Sequence, residues 1–147
     1  MQIKGEYLVP APRERVWEYF TDAELLKQCI PGCEELKPSG DDVYEATLTV
    51  GVAAIKGTYK GKVKLENQQP PSSYRLVVSG ESKIGHVKGN CDFSLAEKDG
   101  EGTEVTLIGD LSVGGQLARV GQRIIGGVAK MMMGQFFKAV EKLARSQ

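Results

Sequence analysis

The sequence predicts one α+β domain in which a curved antiparallel sheet of about six to seven strands wraps around a long C-terminal helix. The first observation behind this prediction is a period-two alternation of apolar and polar residues that runs from Tyr44 to Val113. The second is a change to apolar spacings of three and four in the last 33 residues, Gly115–Gln147. No linker composition divides the chain, so residues 1–147 are expected to form a single domain.

The N-terminal part of the chain predicts a strand followed by two short helices. Ile3 to Val9 alternates like a strand, and two prolines that follow it closely end the pattern. Glu14 to Phe20 has apolar residues at helical spacing, which predicts the first helix. Thr21 or Asp22 then caps a second short helix that ends near Cys29.

The middle of the chain predicts further strands, each with one apolar face. The residues assigned to the inner face are Tyr44, Ala46, Leu48, Val50, Ile55, Gly57, Tyr59, Gly61, Val63, Leu65, Tyr74, Leu76, Val78, Val87, Gly89, Cys91, Phe93, Leu95, Val105, Leu107, Gly109, Leu111 and Val113. Turns are predicted at Pro70–Ser73 and Lys98–Gly102. Because a sheet with one apolar face needs a cover, the C-terminal helix is expected to pack against it and to enclose a cavity.

The C-terminal stretch is predicted to be one helix with an apolar stripe and a basic face. The stripe is assigned to Leu117, Val120, Ile124, Val128, Met131, Met132, Phe136, Val140 and Leu143. Six basic residues against one acid give this stretch a net charge of +5 in a chain whose total is zero. The basic face is either a solvated surface or a contact with an anionic membrane or partner protein. The residues assigned to it are Arg119, Arg123, Lys130, Lys138 and Lys142, with Met133 and Phe137 towards its edge.

Composition and cysteine content predict an ordinary globular domain. Hydrophobic residues make up 41% of the chain and charged residues 26%, which are typical values. The N-terminal residues lack the apolar block of a secretory signal and the three cysteines favour reduced thiols, so a cytoplasmic location is expected. Lysines interrupt the apolar run of the C-terminal helix, which argues against a membrane span. Cys29 and Cys33 lack the further ligands of a structural zinc site, so no metal is expected.

The predicted inner face offers little catalytic chemistry. It carries almost no ionisable side chain besides tyrosines and Cys91, whereas acid–base catalysis needs a titratable group beside the substrate. The single histidine, His86, falls on the outer face, and no phosphate-binding glycine motif is present. No catalytic or cofactor-binding residue is therefore assigned, and no nucleic-acid role is expected because the domain is not basic.

An apolar cavity with a few tyrosine hydroxyls suits a hydrophobic ligand, so non-enzymatic binding is the leading hypothesis. The predicted lining consists of Trp17, Phe20, Leu48, Tyr59, Phe93, Leu107, Leu117, Ile124, Val128 and Met131. The tyrosines expected to supply polar contacts are Tyr7, Tyr44, Tyr59 and Tyr74. Two alternatives stay open: a membrane-recruiting adaptor that holds no ligand, and a small enzyme on the same fold.

Five features of the sequence together carry a resemblance to a known family. They are Val9-Pro10-Ala11-Pro12, then Val16-Trp17 with Phe20, the segment from Asp22 through Cys29-Ile30-Pro31-Gly32-Cys33, the glycine-rich opening of the last helix, and Gly134-Gln135-Phe136-Phe137. With these features, nearly the whole chain resembles the CoxG family of carbon monoxide dehydrogenase subunits. That family belongs to the START-like, or SRPBCC, superfamily, whose domains have the helix-grip fold.

The resemblance implies an accessory protein that acts beside a molybdenum hydroxylase of the carbon monoxide dehydrogenase type. Members of the family are associated with recruiting such an enzyme to the membrane, or with handling a lipophilic electron carrier such as a quinone. A bound lipid or quinone, a molybdenum hydroxylase complex as partner, and a peripheral location at the inner face of the cell membrane are therefore implied.

Overall fold

A computed structural model describes residues 1–146 of the chain. The strands are β1 (Gln2–Val9), β2 (Cys33–Gly40), β3 (Val43–Val50), β4 (Gly57–Gln69), β5 (Ser73–Ser82), β6 (Gly85–Lys98) and β7 (Gly102–Gly114). The helices are α1 (Arg13–Thr21), α2 (Ala23–Cys29) and α3 (Gln122–Arg145), with 3₁₀ turns at Ala53–Ile55 and Gly115–Arg119. The Asp22 carboxylate accepts from the backbone amides of Glu24 and Leu25, so Asp22 caps α2.

The seven strands form one curved antiparallel sheet in the order β1-β7-β6-β5-β4-β3-β2. Helices α1 and α2 cross from β1 at one edge to β2 at the other, and α3 contacts both β1 and α2. The predicted α+β architecture, with two short helices after the first strand and a long C-terminal helix, is confirmed.

Strand β2 has no counterpart among the strands that the alternation predicts. Only Leu36 is buried in it, and most of its other residues are exposed, because β2 pairs with β3 alone and forms an edge of the sheet. An edge strand with one buried residue has no period-two pattern of apolar residues. At its other end, β3 leads into a 3₁₀ turn that contains Ile55, so β4 begins two residues later than the alternation indicates.

The C-terminal helix is shorter than the sequence predicts, because the chain breaks before it. Gly121 has a φ angle of +95°, which residues with a side chain rarely adopt, and α3 begins only at Gln122. The preceding residues form the 3₁₀ turn Gly115–Arg119, and the Leu117 amide donates to the Ile84 carbonyl oxygen at 2.9 Å. This bond fixes the 3₁₀ turn against the β5–β6 turn.

The buried stripe of α3 lies about one residue away from its predicted position. Ile124 and Met131, assigned to the inner face, are 48% and 44% exposed, so their prediction as cavity-lining residues is wrong. Ile125 and Phe137 face the core instead, at 6% and 4% exposure. Apolar residues stand side by side in this helix, so the sequence fits two stripes that differ by one position, or about 100°.

The larger of two packed clusters, called the lower cluster, is built on aromatic rings. Its buried members are Val9, Ala11, Val16, Tyr19, Phe20, Cys29, Leu65, Tyr74, Phe93, Leu95, Val105, Leu107, Phe137 and Val140. Phe137 stacks on Tyr7 of β1 with centroids 3.9 Å apart and planes 8° apart, and Phe20 meets the Phe137 ring edge-on at 6.0 Å. Phe137, expected towards the basic face, is therefore a central core residue.

The smaller cluster, called the upper cluster, surrounds the start of α3. Its buried members are Val50, Ile55, Leu117 and Ile125. Half-buried side chains pack around them, namely Met1, Val52, Tyr59, Ile84, Val87, Leu111, Val113, Val120 and Val128. The Tyr59 hydroxyl donates to the Ile55 carbonyl oxygen at 2.7 Å, which ties β4 to the 3₁₀ turn before it.

The position of the buried stripe predicts unequal effects for two alanine substitutions in α3. Phe137→Ala removes a buried ring and is expected to lower the free energy of unfolding by about 3–5 kcal/mol. Met131→Ala removes an exposed side chain and is expected to change it by less than about 0.5 kcal/mol. Urea denaturation followed by circular dichroism measures both, and equal losses would contradict the observed orientation of α3.

Candidate functional site

Strand pairing brings apolar side chains from three strands to the middle of the concave face. In the observed register Leu48 pairs with Tyr59, and Val63 of β4 pairs with Val78 of β5. Side chains two residues apart on a strand share a face, so these residues lie on the same side as Tyr74, which is buried in the lower cluster. Leu48, Val63 and Val78 are nevertheless only half-buried.

Five half-buried apolar residues at this level belong to neither packed cluster. They are Ala46, Leu48, Val63 and Val78 of the sheet and Met132 of α3. Met132 lies seven residues after Ile125 and four before Phe136, so it shares the sheet-facing side of the helix with them. We call the strip lined by these five residues the groove. It separates the lower cluster from the upper cluster.

The sheet bends sharply beside the groove, where glycine is required. A β-carbon added to Gly61 would lie 1.7 Å from the carbonyl oxygen of Ser79 on β5, so no other residue fits without a backbone shift. Gly80 pairs with Gly61, and Val78 pairs with Gly89 on β6. The groove floor therefore consists largely of backbone and branched aliphatic side chains.

The side chains around the groove offer weak polar chemistry. Cys91 pairs with Leu76 at its lower rim, and burial together with the neighbouring Asp92 carboxylate raises the pKa of the Cys91 thiol to about 11. Burial also raises the pKa of the Tyr74 hydroxyl, which stays protonated at physiological pH. The Tyr59 hydroxyl proton is committed to the Ile55 carbonyl. The five groove residues bring no charged group to the site.

The residues predicted to line a cavity divide into three groups. Phe20, Phe93 and Leu107 are buried in the lower cluster, Leu117 is buried in the upper cluster, and half-buried Trp17 packs edge-on against Tyr74 at 5.5 Å. The half-buried residues along the groove and the upper cluster are Leu48, Tyr59 and Val128. Ile124 and Met131 lie on the exposed side of α3. The packed clusters thus take up five of the ten residues.

Three groove residues are absent from the predicted lining, namely Val63, Val78 and Met132. The alternation does place Val63 and Val78 on the inner face, and helical spacing places Met132 in the stripe. Which inner residues are packed and which stay open depends on how α3 crosses the sheet. That crossing has no signal in a single sequence.

The predicted basic face is exposed. Arg119, Arg123, Lys130, Lys138 and Lys142 are all exposed, and within residues 1–146 none of them forms an ion pair with a carboxylate. The exposed Ile124 and Met131 lie on the same side of the helix. The outer side of α3 therefore combines free cations with two large apolar side chains.

The remaining candidates for chemistry lie apart from the groove. Cys29 is buried and Cys33 half-buried, both thiols are free, and burial raises the pKa of each. His86 is exposed on β6, as predicted, with its imidazole over Gly114. Among the described residues, no group of three histidine, cysteine or acidic side chains is placed to hold a metal ion. No helix in residues 1–146 is long and apolar enough to cross a membrane.

The raised pKa of the Cys91 thiol predicts slow alkylation of the folded protein near neutral pH. The thiolate is the reactive form, so the iodoacetamide rate at Cys91 is expected to rise about tenfold per pH unit from roughly pH 8 to pH 10. Peptide mass spectrometry separates Cys91 from the other two cysteines, and urea-unfolded protein is the control, with a plateau above about pH 9. A plateau by pH 9 in the folded protein would contradict the buried position of this thiol.

Solved structures share this architecture at high and low sequence identity. A conserved protein from Geobacillus kaustophilus is 35% identical, with a TM-score of 0.96 over 99% of this chain and 96% of that one. Protein Ms6760 from Mycobacterium smegmatis is 18% identical, with a TM-score of 0.71 over 99% and 91% of the two chains. Ara h 8.0201 is 19% identical, with a TM-score of 0.72 over 100% and 99%. The last two show the shared fold alone.

The sequence comparisons give the family directly. No curated protein matches the chain. The CoxG family, described as a carbon monoxide dehydrogenase subunit, matches residues 5–144, which include every strand and helix of the groove. With that extent of match, the chain belongs to the CoxG family of carbon monoxide dehydrogenase subunits.

Proposed function

We propose that the groove binds a hydrophobic ligand of the lipid or quinone type, and that the protein does so without catalysing a reaction. The observation that carries this proposal is the set of five inward-facing apolar residues packed in neither cluster. Side chains at the centre of a concave face are normally buried, and each Å² of apolar surface left in water forgoes about 25 cal/mol. A bound apolar molecule would cover that surface.

The polarity of the groove favours a neutral ligand. A carboxylate or phosphate held inside it would need a cation or several donors, because burying an unpaired charge is costly. The five lining residues have none, and the nearest titratable group at the rim is a thiol that stays protonated near neutral pH. A quinone head with an apolar tail meets these conditions better than a fatty acid with an inserted head group.

The family supplies the proposed partner. Its description names carbon monoxide dehydrogenase, and the resemblance implies an accessory role beside a molybdenum hydroxylase of that type. An apolar carrier would give such an enzyme access to a membrane-soluble electron acceptor. We therefore propose a location on the cytoplasmic side, with peripheral contact to the inner face of the cell membrane.

A second function, membrane recruitment of the enzyme without a ligand, is favoured by the outer side of α3. Its cations have no acidic partner among residues 1–146, and Ile124 and Met131 stand exposed between them. An amphipathic surface of this kind suits an anionic bilayer. The two functions are separated by whether the groove is occupied.

Native mass spectrometry of the purified protein, followed by organic extraction, tests for a bound molecule. We expect a neutral lipid or quinone at close to one molecule per chain, or uptake of one after incubation with decylubiquinone. A protein that stays empty after incubation with quinones and with extracted membrane lipids would overturn the ligand proposal and favour the adaptor.

Filling the groove is expected to prevent binding with little effect on stability. Val78→Phe adds a ring to the open strip and is expected to weaken decylubiquinone binding at least about tenfold, while unfolding free energy changes by less than about 1 kcal/mol. Val77→Phe is the matched control, since it adds the same ring to the outer face of the same strand. Binding is measured by native mass spectrometry and stability by urea denaturation.

If the site were already filled by protein, the phenylalanine at position 78 would overpack a core. Such substitutions typically cost about 1–3 kcal/mol. A loss of that size, together with unchanged quinone binding, would contradict the assignment of the groove as the ligand site.

A further inference from the structure

The connections between elements gather at two opposite ends of the sheet. Four segments lie at the end where the upper cluster is found: residues 30–32, 51–56, 83–84 and 115–121. Hydrogen bonds join them to their surroundings at this end, from the Thr49 amide to the Gly32 carbonyl and from the Leu117 amide to the Ile84 carbonyl, both 2.9 Å. We call these four segments, with the first turn of α3, the tip.

Charge is distributed very unevenly between the two ends. The tip carries Lys56, Lys83 and Arg119, joined by Arg123 from α3, and no carboxylate. The connections at the opposite end, residues 10–12, 41–42, 70–72 and 99–101, carry four carboxylates and no cation. The neutral chain is therefore electrically polarised along the strands, with its positive end at the tip.

The four tip cations are available to a partner. Lys56, Lys83, Arg119 and Arg123 are all exposed, and none forms an ion pair within the described chain. Four unopposed cations on one end of a small domain repel one another, and an anionic surface would relieve that repulsion.

The tip also exposes apolar side chains between its cations. Ala53, Ala54 and Ala118 are exposed, and Ile124 is 48% exposed. Half-buried Val52, Ile84 and Val120 lie among them and pack on the upper cluster from outside. Cations that surround shallow apolar residues suit the interface of an anionic bilayer, where the charges meet head groups and the apolar residues enter the acyl boundary.

We propose that the protein docks end-on to anionic membranes through the tip, and not side-on through the length of α3. The polarised charge orients the molecule, because the carboxylates at the opposite end are repelled from an anionic surface. This inference rests on the proposed function in one respect: end-on docking turns the upper cluster, and the groove behind it, towards the lipid that would supply the ligand.

The two docking geometries differ in which cations matter. Lys138 and Lys142 follow Arg123 by 15 and 19 residues in the same helix. At about 1.5 Å per residue they lie roughly 22 and 28 Å further along α3, well beyond a Debye length of about 10 Å. End-on docking therefore leaves them unscreened by the membrane, whereas side-on docking needs them.

The test compares two charge-matched double variants by vesicle flotation. The vesicles contain about 30% phosphatidylglycerol in phosphatidylcholine, at about 0.1 M salt, with pure phosphatidylcholine as reference. Lys83→Ser with Arg123→Ser is expected to weaken binding roughly 25-fold, at about fivefold per charge removed. Lys138→Ser with Lys142→Ser is expected to weaken it less than about twofold. Ile124→Ser, which removes an exposed apolar side chain, is expected to weaken it about fivefold.

Three results would overturn end-on docking: equal losses for both pairs, a larger loss for the Lys138 and Lys142 pair, or equal binding to neutral vesicles. Absence of vesicle binding by a protein that captures a purified molybdenum hydroxylase through the tip would assign the tip to a protein partner instead. Circular dichroism melts check that all variants fold. Extraction of bound ligand is measured separately, so an empty groove would end the ligand proposal and leave the docking result readable.

Discussion

The stack of Phe137 on Tyr7 is the contact on which the rest of the architecture depends. It joins the second half of α3 to β1, and Phe20 of α1 closes against the same ring. These three elements come from both ends of the chain, so the contact holds the helix across the sheet. The first half of α3 is attached through a smaller cluster around Ile125 and Leu117. A helix held at two places over a curved sheet leaves a gap between them.

That gap explains why the concave face is apolar throughout but packed only in part. The aromatic rings fill the space where α1, α3 and the sheet converge. Towards the upper cluster the sheet carries glycine and branched aliphatic residues, whose side chains do not reach across to the helix. The same alternation of apolar residues thus yields a solid core at one level and an open strip at the next. The proposed carrier function depends on this difference in side-chain size.

Charge follows a separate logic from packing. The excess of cations after Gly115 belongs to two surfaces, the tip and the outer side of α3, which Gly121 separates. The three other tip segments contribute only Lys56 and Lys83, and these become neighbours of Arg119 through the fold. A ligand groove next to a cationic, partly apolar end would combine uptake and membrane contact in one small domain, with the acidic end left for other contacts.

Local periodicity was enough to predict the fold class, six of the seven strands, both short helices and the exposure of His86. It failed at β2, where an edge strand buries one residue, and at α3, where adjacent apolar residues fit two stripes and Gly121 breaks the helix. The sequence by itself therefore determined the elements and their apolar faces, because these depend on neighbouring residues. Only the tertiary structure decided which apolar residues are packed and which line the groove, because that depends on the angle and distance at which α3 crosses the sheet.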